Sequence, residues 1–443
     1  MILFHEHYFN KLALMFAIIV LSLIITIVAP TITFVFASSP ATYYMNSSLS
    51  QKDIPDDSKS TFKITDNLKN LLKDIVDNNK THAAFVVGLV DLNGTQFYGY
   101  GNMSKANNIT VDKNTIFAIG SNTKVFTTML LADMVEDGLI NLDDPIEKYL
   151  PFNITVPQYK GHKITIEDLA THTSGLPEFP PNYCTSFQMA NPQTPSDIIQ
   201  TRLNLMNCTK NYTFDQFYQG LSNTTISREP GTKLEYSTFG SALLGNILVS
   251  KSNMSSYEEL LKKRILNVVG MNDTSINLSE AQKSRLAIGH LYGQELPLLN
   301  FSNPIVPGGG LYSSASDMLK FLSANIGLIK TKLDKPMQES HLILRDTGQT
   351  IPNNKKVSNQ NMTDSSGFYI GLGWFVTTDF GNEIIWHNGA TAGGYNAFMG
   401  FNPATDRGIV ILCSSVVDNA DISIAGLYNN NALSTSVWNL LKG

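Results

Sequence analysis

The sequence has little of what metal-binding and nucleic-acid-binding proteins need. Only three of its 443 residues are cysteine and eight are histidine. Neither a Cys-X-X-Cys nor a His-Glu-X-X-His motif occurs, so we expect no metal ion and no other cofactor. Charged residues make up 16% of the chain, the formal net charge is −5, and without a basic run the nucleic-acid-binding class is excluded. The Gly-X-Ser-X-Gly motif is missing too, which excludes an α/β-hydrolase.

Apolar residues, by contrast, make up 43% of the chain, enough for a sizeable core in one large domain or two interleaved ones. The longest apolar stretch runs, with few interruptions, from Leu12 to Ala37. Residues 1–37 are therefore predicted to be a cleaved signal peptide or a membrane anchor, and both alternatives stay open. The polar residues 38–60 are predicted to be a linker. In either case the rest of the chain is expected to be exported, with membrane contact only if the segment stays uncleaved.

Two further features agree with export. The chain contains fourteen Asn-X-Ser/Thr sequons, which are glycan acceptors only in translocated chains and predict a glycoprotein. Cys184 and Cys208 flank a polar segment, and an oxidising compartment would allow them to form a disulfide. Cys413 lies in an apolar strand-like run and is predicted to be a buried free thiol.

The order of the predicted elements indicates the fold class. Two β-rich runs joined by Asn93-Gly94 predict a hairpin near the start. Helical patterns dominate residues 119–330, and strand-like runs return in 368–443. We therefore expect an α+β fold, in which one antiparallel sheet is built from segments 61–118 and 368–443 around an inserted, mainly helical part. The polar stretch 330–366 is predicted to be a surface loop.

Ser121 and Lys124 are the first candidate catalytic residues. They lie at positions i and i+3 at the start of a predicted helix, so their side chains share one face. A serine hydroxyl becomes a nucleophile when a neighbouring base takes its proton, and an amine can do this if burial lowers its pKa. The free N–H groups at the helix start are suited to hold an oxyanion.

Two later segments carry further candidates. Tyr236 stands on a loop before a predicted helix, where its phenolate could shuttle protons if the charge of Lys124 lowered its pKa. A strand-like run ends in His387-Asn-Gly, and Ala390 follows with a backbone N–H that could face the serine.

Taken together and in this order, the motifs resemble the serine β-lactamase and penicillin-binding-protein superfamily. The resemblance is to its class C-like branch, with esterases and D-amino-acid peptidases, and it covers about residues 62–440. The matching segments are Ser121-X-X-Lys124, Tyr236-Ser-Thr, His387-Asn-Gly, "LATHTSGLP" (169–177) and "PGGGLYSSASDMLKF" (307–321).

The resemblance implies a role for each candidate. Ser121 becomes the acylated nucleophile, Lys124 its proton partner and Tyr236 the general base. The backbone N–H groups of Ser121 and Ala390 form the oxyanion hole, and Gly389 leaves room for the substrate.

Two positions depart from the pattern of that superfamily. Thr238 stands where the tyrosine triplet usually ends in asparagine, which removes an amide that would bind the lysine and the substrate. His387 stands where a lysine is common. An imidazole with a pKa near 6.5 is mostly uncharged above neutrality. We therefore expect carboxylate-bearing substrates to bind less well than neutral esters, with a KM that rises between about pH 5.5 and 7.5.

The sequence thus predicts an exported serine hydrolase that cleaves a small-molecule or peptide ester or amide through an acyl-serine. A β-lactam, a D-amino-acid peptide and a carboxylic ester all stay open as substrates. The alternative is a penicillin-binding-like receptor domain that binds its ligand without turnover.

Overall fold

The computed structural model describes residues 62–78, 83–185, 193–298, 304–348, 367–379, 381–416 and 432–442. All of them belong to one unit, Asp57–Gly443. The predicted signal peptide or anchor (1–37) and the predicted linker (38–60) lie outside the described residues. In the part of the chain that the structure describes, no helix has both the length and the apolar character needed to cross a membrane.

The strands form one large and two small sheets in the described part of the chain. They are β1 (Phe85–Asp91), β2 (Gly94–Tyr100), β3 (Ile116–Ala118), β4 (His290–Leu291), β5 (Gln294–Glu295), β6 (Tyr312–Ser314), β7 (Arg345–Asp346), β8 (Gly367–Ile370), β9 (Phe375–Asp379), β10 (Asn382–Thr391), β11 (Tyr395–Asn402), β12 (Arg407–Cys413) and β13 (Ser415–Val416). The large sheet has the order β2-β1-β12-β11-β10-β9-β8-β7, and the small ones are β13-β4-β5 and β3-β6. The two ends of the chain meet where β1 pairs antiparallel with β12. The predicted α+β fold, with a sheet built from both ends, is confirmed.

Helices cover both faces of the large sheet. They are α1 (Asp66–Asn78), α2 (Thr123–Glu136), α3 (Ile166–Ala170), α4 (Pro195–Lys210), α5 (Phe214–Ser222), α6 (Thr238–Ser252), α7 (Tyr257–Leu261), α8 (Asn267–Val269), α9 (Glu280–Lys283), α10 (Ala315–Ile326), α11 (Asp334–Ser340) and α12 (Ala432–Lys442). Short 3₁₀ turns occupy Gly120–Asn122, Ile146–Tyr149 and Val306–Gly308, and a π turn occupies Lys262–Leu266.

Strand β1 shows how the sheet separates two cores. Val86 and Val90 point into the large core shared with the helical part of the chain. Phe85, Val87 and Leu89 point to the other face, into a smaller core under α1 and α12. Because successive side chains of a strand alternate between faces, a strand that is apolar throughout is buried on both sides.

One expectation about the connections is wrong. The segment 330–366 was predicted to be a surface loop, but α11 and β7 both lie within it. Leu333 and Met337 are fully buried, and α11 packs against α2. The apolar pattern of α11 is short and interrupted by Pro336. Tertiary packing, rather than sequence periodicity, therefore determines that a helix forms here. Residues 349–366 lie outside the described part.

Candidate active site

Ser121 lies in the 3₁₀ turn that leads from β3 into α2. Lys124 follows one turn later and is only 1% exposed, because α2 is buried on nearly every side. Its Nζ lies 3.1 Å from the Ser121 Oγ. The predicted pairing of these two side chains is therefore present in the structure.

The surroundings of Lys124 favour a neutral amine. Burial lowers its pKa from 10.5 to about 7, while the carboxylate of Glu178 acts in the opposite direction. Its Nζ donates to the Gly308 carbonyl at 2.6 Å and to the Thr238 Oγ1 at 3.2 Å. A neutral amine has two N–H groups for these acceptors, and its lone pair then faces the hydroxyl of Ser121. This is the arrangement that a general base requires.

Thr238 therefore keeps part of the function that its substitution for asparagine was expected to remove. Its hydroxyl still accepts a hydrogen bond from Lys124. Gly308 belongs to the "PGGG" motif, to which the sequence alone assigned no catalytic role. A Cβ at this glycine would lie 2.8 Å from the Thr238 methyl group, so a side chain there would push the lysine's two acceptors apart.

Tyr236 is placed beside the Ser–Lys pair, but in a different protonation state from the one expected. Its ring centroid lies 4.7 Å from the Lys124 Nζ. Burial raises the pKa of Tyr236 well above 10, Glu178 adds to this, and the hydrogen bond with the Ser121 side chain opposes it. The prediction that Lys124 lowers this pKa is wrong. A buried phenolate loses its hydration, and attraction to a lysine that is only partly charged does not compensate for this loss. Tyr236 is a phenol at neutral pH.

His172 is a residue of the site that sequence reasoning missed. It adopts a left-handed backbone conformation (φ 58°), and its ring lies 4.6 Å from that of Tyr236. Its Nδ1 accepts a hydrogen bond from the Ser237 N–H at 3.2 Å, and burial lowers its pKa well below 6.5. The neutral imidazole thus holds the turn that carries Tyr236. The signal was the histidine within "LATHTSGLP", which was interpreted as a family marker without a role.

Strand β10 runs close against the turn that carries Ser121. A Cβ at Gly389 would lie 2.1 Å from the Ile119 carbonyl oxygen, and one at Gly120 would lie 2.8 Å from the Ala390 carbonyl oxygen. Both glycines are required for this approach. The backbones of Ser121 and Ala390 thereby line one cleft, as an oxyanion hole requires.

His387 is not a substrate-facing cation. The side chain is fully buried and does not line the cleft. Its Nδ1 donates to the Asn388 carbonyl at 2.6 Å, and its ring lies 5.1 Å from that of Phe375 and 6.5 Å from that of Tyr236. Burial lowers its pKa to about 3. The expectation that it titrates between pH 5.5 and 7.5 is wrong, because the strand turns it into the core behind Tyr236.

The cleft in front of Ser121 has a volume of about 680 Å³. Residues 177–183 and α4 form one wall of the cleft and contribute the two charged lining side chains, Glu178 and Arg202. The predicted Cys184–Cys208 disulfide is present and joins the two parts of the wall.

The fold and the site define a class of protein: an antiparallel-sheet serine hydrolase in which a serine hydroxyl contacts a buried lysine amine. The family model for beta-lactamase matches residues 68–432. The chain therefore belongs to the beta-lactamase family.

Known proteins of this kind are similar over most of the chain. The D-alanyl-D-alanine-carboxypeptidase/endopeptidase AmpH of Escherichia coli K12 is 26% identical over 347 residues, which cover 76% of this chain and 83% of that protein. A class C beta-lactamase structure from Rhodobacter sphaeroides has a TM-score of 0.63 at 20% identity, covering 85% of this chain and 99% of its own. A beta-lactamase/D-alanine carboxypeptidase from Yersinia pestis, complexed with citrate, has a TM-score of 0.62 at 22% identity, covering 84% of this chain and 98% of its own.

Proposed function

We propose that this protein is an exported serine hydrolase that cleaves an ester or amide through an acyl-enzyme on Ser121. The observation that carries the proposal is the contact between the Ser121 hydroxyl and the buried Lys124 amine, whose pKa of about 7 leaves it partly neutral at physiological pH. The carboxypeptidase activity in the name of the relative AmpH makes a D-amino-acid peptide one candidate substrate beside β-lactams and simple esters.

In acylation, the Ser121 oxygen forms a bond to the substrate carbonyl carbon while its proton passes to the lone pair of Lys124. The negative charge moves to the carbonyl oxygen, which the backbone N–H groups of Ser121 and Ala390 stabilise in this proposal. Collapse of this intermediate breaks the bond to the leaving group. The leaving group takes that proton from Lys124, either directly or through the phenol of Tyr236, which gives up its own proton and regains one from Lys124.

In deacylation, a water molecule loses a proton to the same neutral amine and forms a bond to the acyl carbon. The bond from that carbon to the Ser121 oxygen then breaks, and the oxygen takes the proton back from Lys124. The protonated state of Tyr236 makes it a hydrogen-bond donor toward the Ser121 oxygen rather than the resting base. His387 and His172, both neutral and packed against the Tyr236 ring, act as positioning residues.

An active-site serine probe tests this function. A fluorophosphonate should label the wild type at Ser121 and fail to label Ser121→Ala, and p-nitrophenyl esters should be hydrolysed by the wild type alone. Persistent labelling of Ser121→Ala would contradict the proposal. Stoichiometric labelling without turnover, for every ester, D-amino-acid amide and cephalosporin tried, would instead favour the receptor alternative.

Export is supported by the disulfide between Cys184 and Cys208 and by the surface positions of the sequons. Every sequon asparagine within the described residues is exposed: Asn93, Asn102, Asn108, Asn153, Asn207, Asn211, Asn223, Asn253, Asn272 and Asn277. The buried asparagines all lie outside sequons: Asn122, Asn246, Asn325, Asn396 and Asn402. Intact-mass analysis of protein from its native host, before and after deglycosylation, tests this part. An unmodified mass with three free thiols would contradict export.

A further inference from the structure

The cleft carries a negative charge close to the reacting groups. Glu178 lines the cleft together with Ser121 and Tyr236, and its side chain is exposed. Arg202, the other charged lining residue in the described part of the chain, stands on α4. Of these two charged residues, Glu178 is the one that acts on the pKa of Lys124 and of Tyr236.

The backbone holds Glu178 beside the catalytic turn. The Ser237 hydroxyl donates to the Pro177 carbonyl at 2.7 Å, and the Phe239 N–H donates to the Glu178 carbonyl at 2.9 Å. These two bonds fix residues 177–178 against the start of α6, the element that also places Tyr236 and Thr238. The backbone that carries this carboxylate is thus held by the same elements that carry the catalytic groups.

The charges around Ser121 and Lys124 favour a positively charged ligand. Lys124 is partly neutral at pH 7 and His387 is neutral, because burial lowers both pKa values. The field of Glu178 reaches the reacting groups, since it raises the pKa of Lys124 and of Tyr236. A ligand carboxylate at this end would meet Glu178 with no permanent cation of the catalytic set to offset it.

We propose that Glu178 is a specificity-determining residue that selects substrates with a positive charge beside the scissile ester or amide bond. The substrate class is then an amino-substituted or quaternary ammonium ester or amide. This inference rests on the proposed hydrolytic function and names its substrate class.

Pairs of substrates that differ only in charge test the inference. 4-Nitrophenyl 4-(trimethylammonio)butyrate and 4-nitrophenyl 5,5-dimethylhexanoate place the charge, or its carbon isostere, in the acyl group. Acetylthiocholine and S-(3,3-dimethylbutyl) thioacetate place it in the leaving group. For at least one pair, the wild type should prefer the cation by about tenfold in kcat/KM, and the preference should shrink as ionic strength rises.

Three variants identify the group responsible. Glu178→Gln should bring the two members of the preferred pair to equal kcat/KM, and Glu178→Lys should reverse the preference. Glu280→Gln is the matched control, because Glu280 is an exposed glutamate whose side chain is 89% accessible and does not line the cleft. It should behave as the wild type. Equal unfolding temperatures for all three variants confirm that they are folded.

Equal kcat/KM within both pairs, or a preference that survives Glu178→Gln, would overturn the inference. If no ester is turned over, the proposed hydrolytic function is refuted. The inference that Glu178 selects cations is then tested by ligand binding alone. Calorimetry on Ser121→Ala should show about tenfold tighter binding of 4-(trimethylammonio)butanamide than of 5,5-dimethylhexanamide, and the difference should vanish when Glu178→Gln is added. Equal affinities for the two amides would overturn the inference without any turnover.

Discussion

Replacing Lys124 with methionine is expected to stabilise the protein more at pH 6 than at pH 9. Burial lowers the lysine pKa from 10.5 to about 7, so between these values the unfolded chain binds a proton that the folded chain does not. Wild-type stability therefore rises with pH across this window and is lowest below pH 7. Methionine has a similar length and carries no proton, so the variant lacks this dependence.

The size of the effect follows from the pKa shift. At about 1.4 kcal/mol per pKa unit, the buried lysine costs about 5 kcal/mol at pH 6 and about 2 kcal/mol at pH 9. The lost hydrogen bonds to Gly308 and Thr238 add a term of opposite sign that is the same at both pH values. The difference in unfolding free energy between variant and wild type should thus change by about 3 kcal/mol between pH 6 and 9.

Urea unfolding at several pH values, followed by tryptophan fluorescence, measures this difference. In parallel, wild-type kcat/KM for a neutral ester should rise about tenfold per pH unit below pH 7 and level off above it, and Lys124→Met should show no acylation. A difference in stability that is the same at pH 6 and pH 9 would refute the reasoning, because Lys124 would then carry its ordinary pKa in the folded protein.

Three further predictions concern other parts of the site. His387→Gln should leave the pH dependence of KM for an anionic ester unchanged from pH 5.5 to 7.5, because the pKa of His387 is about 3 and its imidazole stays neutral throughout; a pH dependence that disappears in the variant would show that His387 titrates in this range. Cys184→Ser combined with Cys208→Ser should lose about 3 kcal/mol of stability in urea unfolding, since the bridge closes a loop across 24 positions; an unchanged midpoint would show that the bridge is absent. Gly389→Ala should lower kcat/KM for a neutral ester at least about 100-fold, because the new methyl group would meet the Ile119 carbonyl at 2.1 Å; near-normal activity would exclude the close approach of β10.

The sequence determined the fold class and the central pair. The spacing of Ser121 and Lys124 at a helix start is a local property. Two residues that are three positions apart lie on the same face of a helix, so their side chains come together whatever surrounds them. The hairpin at Asn93-Gly94 and the apolar strands near both ends are likewise readable from short-range pattern. The pairing of Cys184 with Cys208 followed from there being only three cysteines, one of them in a buried strand.

The sequence did not predict the protonation states of Tyr236 and His387, because these states depend on burial by residues that are distant in the chain. Tyr236 carries a raised pKa and His387 a lowered one, although the motif suggested an assisted phenolate and a titrating imidazole. Their desolvation comes from packing that no local pattern records.

The tertiary structure also decided which residues line the cleft. Glu178 and Arg202 are separated by 24 positions in a segment without a distinctive pattern, and His172 is one histidine among eight. Only the fold brings Glu178 against the start of α6 and His172 against the ring of Tyr236. Long-range contacts of this kind depend on the paths of whole elements through the fold. The sequence therefore determined the pairing of Ser121 with Lys124, and the fold determined which charged side chains line the cleft beside them.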